Sequence, residues 1–429
     1  MKINKYFNGL IAGVLLSGLA LTSCEDQPDA FELTGGTPEI LYVRMPYLAQ
    51  SDSLITEASL QSIICLVGNN LTSIQQLYFN DQKAQLNSSY ITDHTLIVQI
   101  PAGIPNEVSD KLYMINEDKD TTVYDFHVIV PKPIVTAMSC EYAKAGEEVT
   151  IYGNYFIDDP NVPLTVVLPD GQEITEFTNF TQSTITFPMP VCDTEGSILV
   201  NSIYGKTTSS FKYLDSRGII FDFDGTHGGL TGGQGWRAGN VRDDDNSLDG
   251  GYLYFGGPSL SGEIGGSWEE DAFCINYWPN GASDALSVAA PQLGKMLENY
   301  SLDQLQLKFE VCVPAASSWS SCAMQIMFTS DANVTMGNAQ NQYYGDANLP
   351  RALWMPWTLS GSYDTGDKWV TVSIPMTSFN KTHLGQACDK VLDKSYFTGL
   401  TLFVWHGGVA GTDCTPEFFI DNIRVVPLN

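Results

Sequence analysis

The sequence predicts an all-β protein: two tandem immunoglobulin-like sandwiches followed by a larger, jelly-roll-like sandwich. Three observations carry that expectation. Short runs rich in β-branched residues, bounded by Pro, Gly, Asn or Asp, recur along the whole chain, as in Thr95 to Ile100, Glu148 to Tyr152 and Leu164 to Leu168. The first half contains an internal repeat. All eight tryptophans lie after residue 235, and 26 of the 38 glycines lie after residue 215, so the second half is built differently from the first. Only Ala289 to Tyr300 has a helix-like pattern, weakened by Pro291 and Gly294.

The amino terminus has a basic start with Lys2 and Lys5, an apolar run from Leu10 to Leu21, and then Thr22-Ser23-Cys24. That is the pattern of a secretory signal, and the run is too short to span a membrane. Leu21-Thr22-Ser23-Cys24 resembles a bacterial lipobox, which implies a signal peptide over residues 1–24 and lipidation of Cys24. An acidic tether over 25–37 follows, opening with Glu25-Asp26-Gln27-Pro28-Asp29; it resembles the surface-export signals of Bacteroidetes lipoproteins. The formal charge of −28 repels nucleic acid and anionic head groups, so membrane contact is expected only through the lipid anchor. Neutral glycans remain compatible, whereas acidic ones would need a Lys or Arg cluster that the sequence lacks. Beyond Cys24 there are eight cysteines and no CxxC pair. An exported location permits disulfides, with Cys312 and Cys322 the best-placed pair and buried free thiols such as Cys65 the alternative.

The repeat divides the first half into units at 38–131 and 132–214. Pro38-Glu39-Ile40 opens one and Pro133-Ile134-Val135 the other; Cys65 to Leu71 corresponds to Thr150 to Phe156, and Asp93 to Pro101 to Gln182 to Pro188. The strand-Gly-Asn-turn element in each resembles the IPT/TIG family of sandwiches. Pro131 and Pro133 make the joint semi-rigid, which suggests a spacer for the head over 215–429. The first head strand, Gly218 to Gly225, and the last, Phe418 to Val426, alternate apolar and polar residues and are expected to pair. No cofactor is required, but Asp222, Asp224 and Asp421 on those strands leave room for a structural calcium, with plain outward-facing carboxylates as the alternative.

An indole lying flat on the C–H face of a pyranose removes both from water, so exposed Trp residues on a sheet make a carbohydrate platform. Trp369, Trp405 and Trp268 are expected in the core, and Trp236 is ambiguous. Trp319, among Ala and Ser, is expected to be exposed; Trp354 and Trp357 straddle Pro356, so at least one should project; Tyr277 and Trp278 end a strand in a turn. The lipobox, tandem sandwiches, Pro-containing joint and closing Phe419-Ile420-Asp421-Asn422-Ile423-Arg424 resemble Bacteroidetes surface glycan-binding protein B, a lipoprotein of the SusE/SusF position. The resemblance implies an outer-membrane, cell-surface protein that captures polysaccharide, β-glucan or xyloglucan-like, for a SusC/SusD-type complex. It also implies a flat aromatic platform, carried over by spacing to Trp319 and Trp354 with Trp357, Trp278 and Tyr277 as neighbours. Where that family has an aromatic beside the second Trp, this chain has Leu353.

A glycosidase would need two carboxylates facing each other across the scissile bond. Asp243 to Asp245 and Glu269 to Asp271 are the available runs, but neither a Gly-x-Ser-x-Gly elbow nor a His-Glu-x-x-His pair occurs. The reading is therefore non-catalytic, with a host-protein adhesin and an endo-acting hydrolase as the rivals.

Overall fold

The computed structural model describes residues 36–235, 237–279, 284–330 and 342–428; Cys24 and Trp236 lie outside them. The chain divides into two compact units at Val130/Pro131. In the first, the strands Glu39–Arg44, Ile63–Asn69 and Thr95–Gln99 form one sheet, and Gln82–Lys83, Gln76–Phe79, Lys111–Ile115 and Thr121–Asp125 the other. The second unit opens with the repeat of this sandwich, and the correspondence extends to backbone detail. Glu39–Arg44 and Ile134–Met138 each shift register near their start, at Ile40/Tyr42 and Val135/Ala137. At each bulge a carbonyl presses on the partner strand's glycine: a Cβ would lie 1.8 Å from Glu39 O at Gly68 and 1.9 Å from Ile134 O at Gly153. Gly is thus required in both Gly-Asn elements by close approach.

The head is a sandwich of two sheets. One runs Asn240–Arg242, Tyr252–Phe255, Phe418–Pro427, Leu305–Cys312, Val370–Pro375, with Ile219–Phe221 also paired to Phe418–Pro427, as the alternation of the two terminal strands predicts. The other runs Cys274–Tyr277, Gly399–Val404, Met324–Thr329, Ala352–Trp354. Leu307, Phe309, Ile420 and Ile423 from the first meet Ile275, Ile326, Leu402 and Val404 from the second in one core. The helix Pro291–Asn299 starts on proline, whose missing N–H costs nothing at a first turn, and buries Leu293 and Leu297.

The second sandwich is not a detachable spacer. Its core residues Val135, Tyr142, Phe187 and Phe211 are continuous with Tyr252, Trp369 and Phe419 on the outer face of the head's larger sheet. Every residue from Phe418 to Val426 is therefore buried, so the polar side of that strand meets the second sandwich instead of water. Within this contact the Arg424 guanidinium donates to Glu310 through both terminal nitrogens (2.7 and 3.0 Å) and to Glu141 at 2.8 Å, and Lys308 reaches the other oxygen of Glu141 at 2.6 Å. The eight described cysteines are free. Cys312 belongs to this inter-domain core and Cys322 to the core between the head's sheets, so the expected pairing does not form.

Candidate functional site

The outer face of the head's smaller sheet is aromatic, and strand periodicity explains how. In Gly399–Val404, Leu400, Leu402 and Val404 point into the sandwich, so Phe403 and, one residue past the strand, Trp405 point out. Register then sets Cys274, Phe403, Gln325 and Leu353 in a row across four strands. Phe403, Trp405 and His383 lie nearly parallel, at 16° and 5° to Trp405. Trp268 stands edge-to-face against them, its centroid 4.9 Å from Trp405 and 5.1 Å from Phe403, and it is 43% exposed. The result is an aromatic corner and not a level shelf.

This corner is held from beneath. Arg351, wholly buried, donates to Gln325 Oε1 at 2.7 Å and to the carbonyls of Tyr344 and Asp346 at 2.6 and 3.0 Å. Burial lowers its pKa to about 10, so it remains cationic at neutral pH. Arg351 thereby fixes the short helix Gln342–Gly345, whose Tyr344 ring packs 5.6 Å from Trp268. His383 and His406 abut Trp405; burial pushes both below the usual imidazole value of 6.5, assisted at His383 by Arg351. His227 moves the opposite way, raised by its 3.0 Å hydrogen bond to Asp249. Imidazole resonances should therefore show His383 and His406 protonating below pH 6.5 and His227 above it. The stabilising His227–Asp249 pair is complete below 6.5 and is lost as pH rises through the folded-state value of His227.

The predicted platform is corrected at most of its positions. Trp319 is fully buried, because its backbone pairs both ways with Tyr363 and turns the ring onto Phe418 and Trp354, 5.0 and 5.3 Å away. Trp357 is buried with its Nε1–H donated to Cys322 O, and Tyr277 is buried with its hydroxyl on Asp284 O. Trp354 packs against the core at Phe309 and also lines a pocket of about 400 Å³ with Leu353 and Asn380. Trp278 lies at the opposite edge of the sheet, against the outer aromatic cluster. Trp268 and Trp405, expected in the core, are the indoles that reach the surface together, whereas Trp369 is buried as expected.

The three carboxylates of the calcium expectation sit in different surroundings. Asp222 is buried and its carboxylate accepts the backbone N–H groups of Gly225, His227 and Gly229; Asp224 turns outward and accepts from Thr226. Asp421 is buried beside Asp249, and burial followed by that neighbouring charge raises its pKa well above the carboxylate range, whereas Asp249, against its own burial, is held low by His227, so the proton of this pair sits on Asp421. Among the described residues no three His, Cys, Asp or Glu side chains gather as a ready ligand set for a metal. Of the acidic runs, Asp244 accepts from Asn246 N and Tyr252 OH, and Glu270 binds Arg237 at 2.9 Å, so each supports local structure.

Residues 213–427 match the family described as surface glycan-binding protein B xyloglucan binding domain. The chain is similar to the crystal structure of surface glycan-binding protein PbSGBP-B from Prevotella bryantii, with 38% identity and a TM-score of 0.79, over 92% of this chain and 100% of that one. It is also 29% identical over 228 residues to an IPT/TIG domain-containing protein of Bacteroides ovatus, covering 49% of this chain. The match spans 45% of the length of that curated relative.

Proposed function

The chain belongs to the surface glycan-binding protein B family, and on that premise we propose that its head binds a neutral polysaccharide, β-glucan or xyloglucan-like, at the corner formed by Trp268 and Trp405. The exposed face of Trp268 carries this reading: a large apolar ring held open to water against Trp405, on whose ring His383 stacks. At pH 7 the imidazoles are neutral, which suits an uncharged ligand. Two or three aromatic contacts at about 0.5–1.5 kcal/mol each beyond area burial give micromolar to millimolar affinity per site. Many copies on one surface would gain avidity on a long chain. In this reading the protein is non-catalytic, is carried at the outer-membrane surface by lipid on Cys24, and passes polysaccharide to a SusC/SusD-type importer.

Trp268→Ala is expected to weaken retention on polysaccharide affinity gels by roughly tenfold, the equivalent of 1.4 kcal/mol, while the melting curve stays unchanged. Wild-type retention would move the site away from Trp268. Release of reducing ends would favour the hydrolase, and a blank polysaccharide screen with retained host-protein binding would favour the adhesin.

A further inference from the structure

The first sandwich carries a feature that a spacer alone would not need. The sheet Glu39–Arg44, Ile63–Asn69, Thr95–Gln99 contributes to a groove of about 1190 Å³, lined by Ile63 and Ile97 of that sheet together with Tyr47 and Tyr90. Tyr47 is 60% and Tyr90 56% exposed, more than any described tryptophan of the head. Exposure of this order at two aromatics beside a sheet face is uncommon unless the surface meets something.

The polar lining identifies what it meets. The side chains around the groove include the amides Gln61, Gln85, Asn87 and Gln99 and no Asp or Glu, in a chain that carries 49 of those acids. The charged member, Lys83, bonds Gln76 Oε1. Aromatic walls with amide donors and acceptors, and no local negative charge, match a ligand that has apolar C–H faces, a hydroxyl periphery and no charge of its own. A second copy of this chain does not suit the groove, because two bodies each at −28 repel.

We propose that this groove is a second glycan subsite, taking a few residues of a neutral hexose chain between Tyr47 and Tyr90. The inference rests on the reading of the chain as a polysaccharide binder, but it concerns a different domain and different residues. A second weak site on the same chain would raise the occupancy of a long polysaccharide without raising affinity for a short oligosaccharide at the head.

The test uses four forms of the full chain: wild type, Trp268→Ala with Trp405→Ala, Tyr47→Ala with Tyr90→Ala, and all four substitutions. Each is titrated calorimetrically with a mixed-linkage β-glucan heptasaccharide and a xyloglucan oligosaccharide, and run on gels containing the parent polymers. Tyr47 and Tyr90 are surface residues, so melting curves should match wild type. The expected result is two sites in the wild type, one in each double variant and none in the quadruple variant, with polymer retention reduced at least threefold by loss of the tyrosines alone. One site in the wild type, unchanged on removing Tyr47 and Tyr90, would overturn the groove and leave the head reading intact. Two sites that persist without Trp268 and Trp405 would overturn the head reading instead. Unchanged glycan binding with loss of association with the importer would assign the groove to a protein partner and also overturn the proposal.

Discussion

Trp319→Ala is expected to destabilise the head by about 3–5 kcal/mol, the range for removing a large aromatic from a close-packed core. The indole is fully buried between Phe418 and Trp354, with its Nε1–H donated to Ser321 O. Truncation leaves a cavity and an unpartnered carbonyl, and the loop cannot collapse to fill it because Trp319 is pinned to Tyr363 by two backbone hydrogen bonds of 2.8 Å. A thermal melt of the variant checks this, and any loss of glycan retention should track the loss of fold. The contrast is with Trp268→Ala, which should lose retention at constant stability. If Trp319→Ala instead melted like wild type and lost binding, the ring would have to be reachable from solvent.

Trp319 and Trp405 show what could and could not be read from the chain. Trp319 sits among Ala and Ser, and local polarity points outward; its burial is decided by a bridge to Tyr363, a partner 44 positions away that no local pattern reveals. Trp405 follows Leu402-Phe403-Val404, an unbroken apolar run that reads as core. Period two already separates that run into two faces, with Phe403 and Trp405 together, and nothing in the sequence requires both faces to be covered. The same alternation places Leu353 outward and Trp354 inward, so a platform position assigned by spacing alone falls one residue off, and a one-residue slip changes face. The sandwiches, by contrast, were legible to the level of Gly68 and Gly153, because a glycine forced by close backbone approach is a local requirement written at a fixed place in each repeat. What the sequence concealed was the burial of polar strand faces. Gln306, Lys308 and Glu310 alternate with apolar residues as a solvent-facing row would, yet all three are buried, Lys308 and Glu310 in the charge network that Glu141 of the second sandwich completes.

That docking underlies the other large effect. Arg424→Met is expected to cost roughly 3–5 kcal/mol, because removing one partner of a buried ion network leaves the others without compensation. Two cations, Arg424 and Lys308, balance two carboxylates, Glu141 and Glu310, and all four are nearly or wholly out of solvent. Arg424 also lies over the Tyr142 ring at 4.9 Å and donates to Asn422 O. Without it Glu310 has Thr371 Oγ1 as its remaining side-chain donor, and burial, which already pushes its carboxyl up to about 7, would drive it to take a proton. Glu141 belongs to the second sandwich and the other three to the head, so the loss falls on the joint between them. The variant should melt earlier, with protease cleavage appearing first around Leu214 and Asp215, where the chain passes from one domain to the other. Replacing all four by apolar residues of similar volume should be far milder than the single change, since it removes the desolvation penalty along with the attraction. If the quadruple replacement proved as damaging as Arg424→Met, the network would contribute net stability to the joint, and the charges could not be regarded as chiefly a device that fixes how the two domains register.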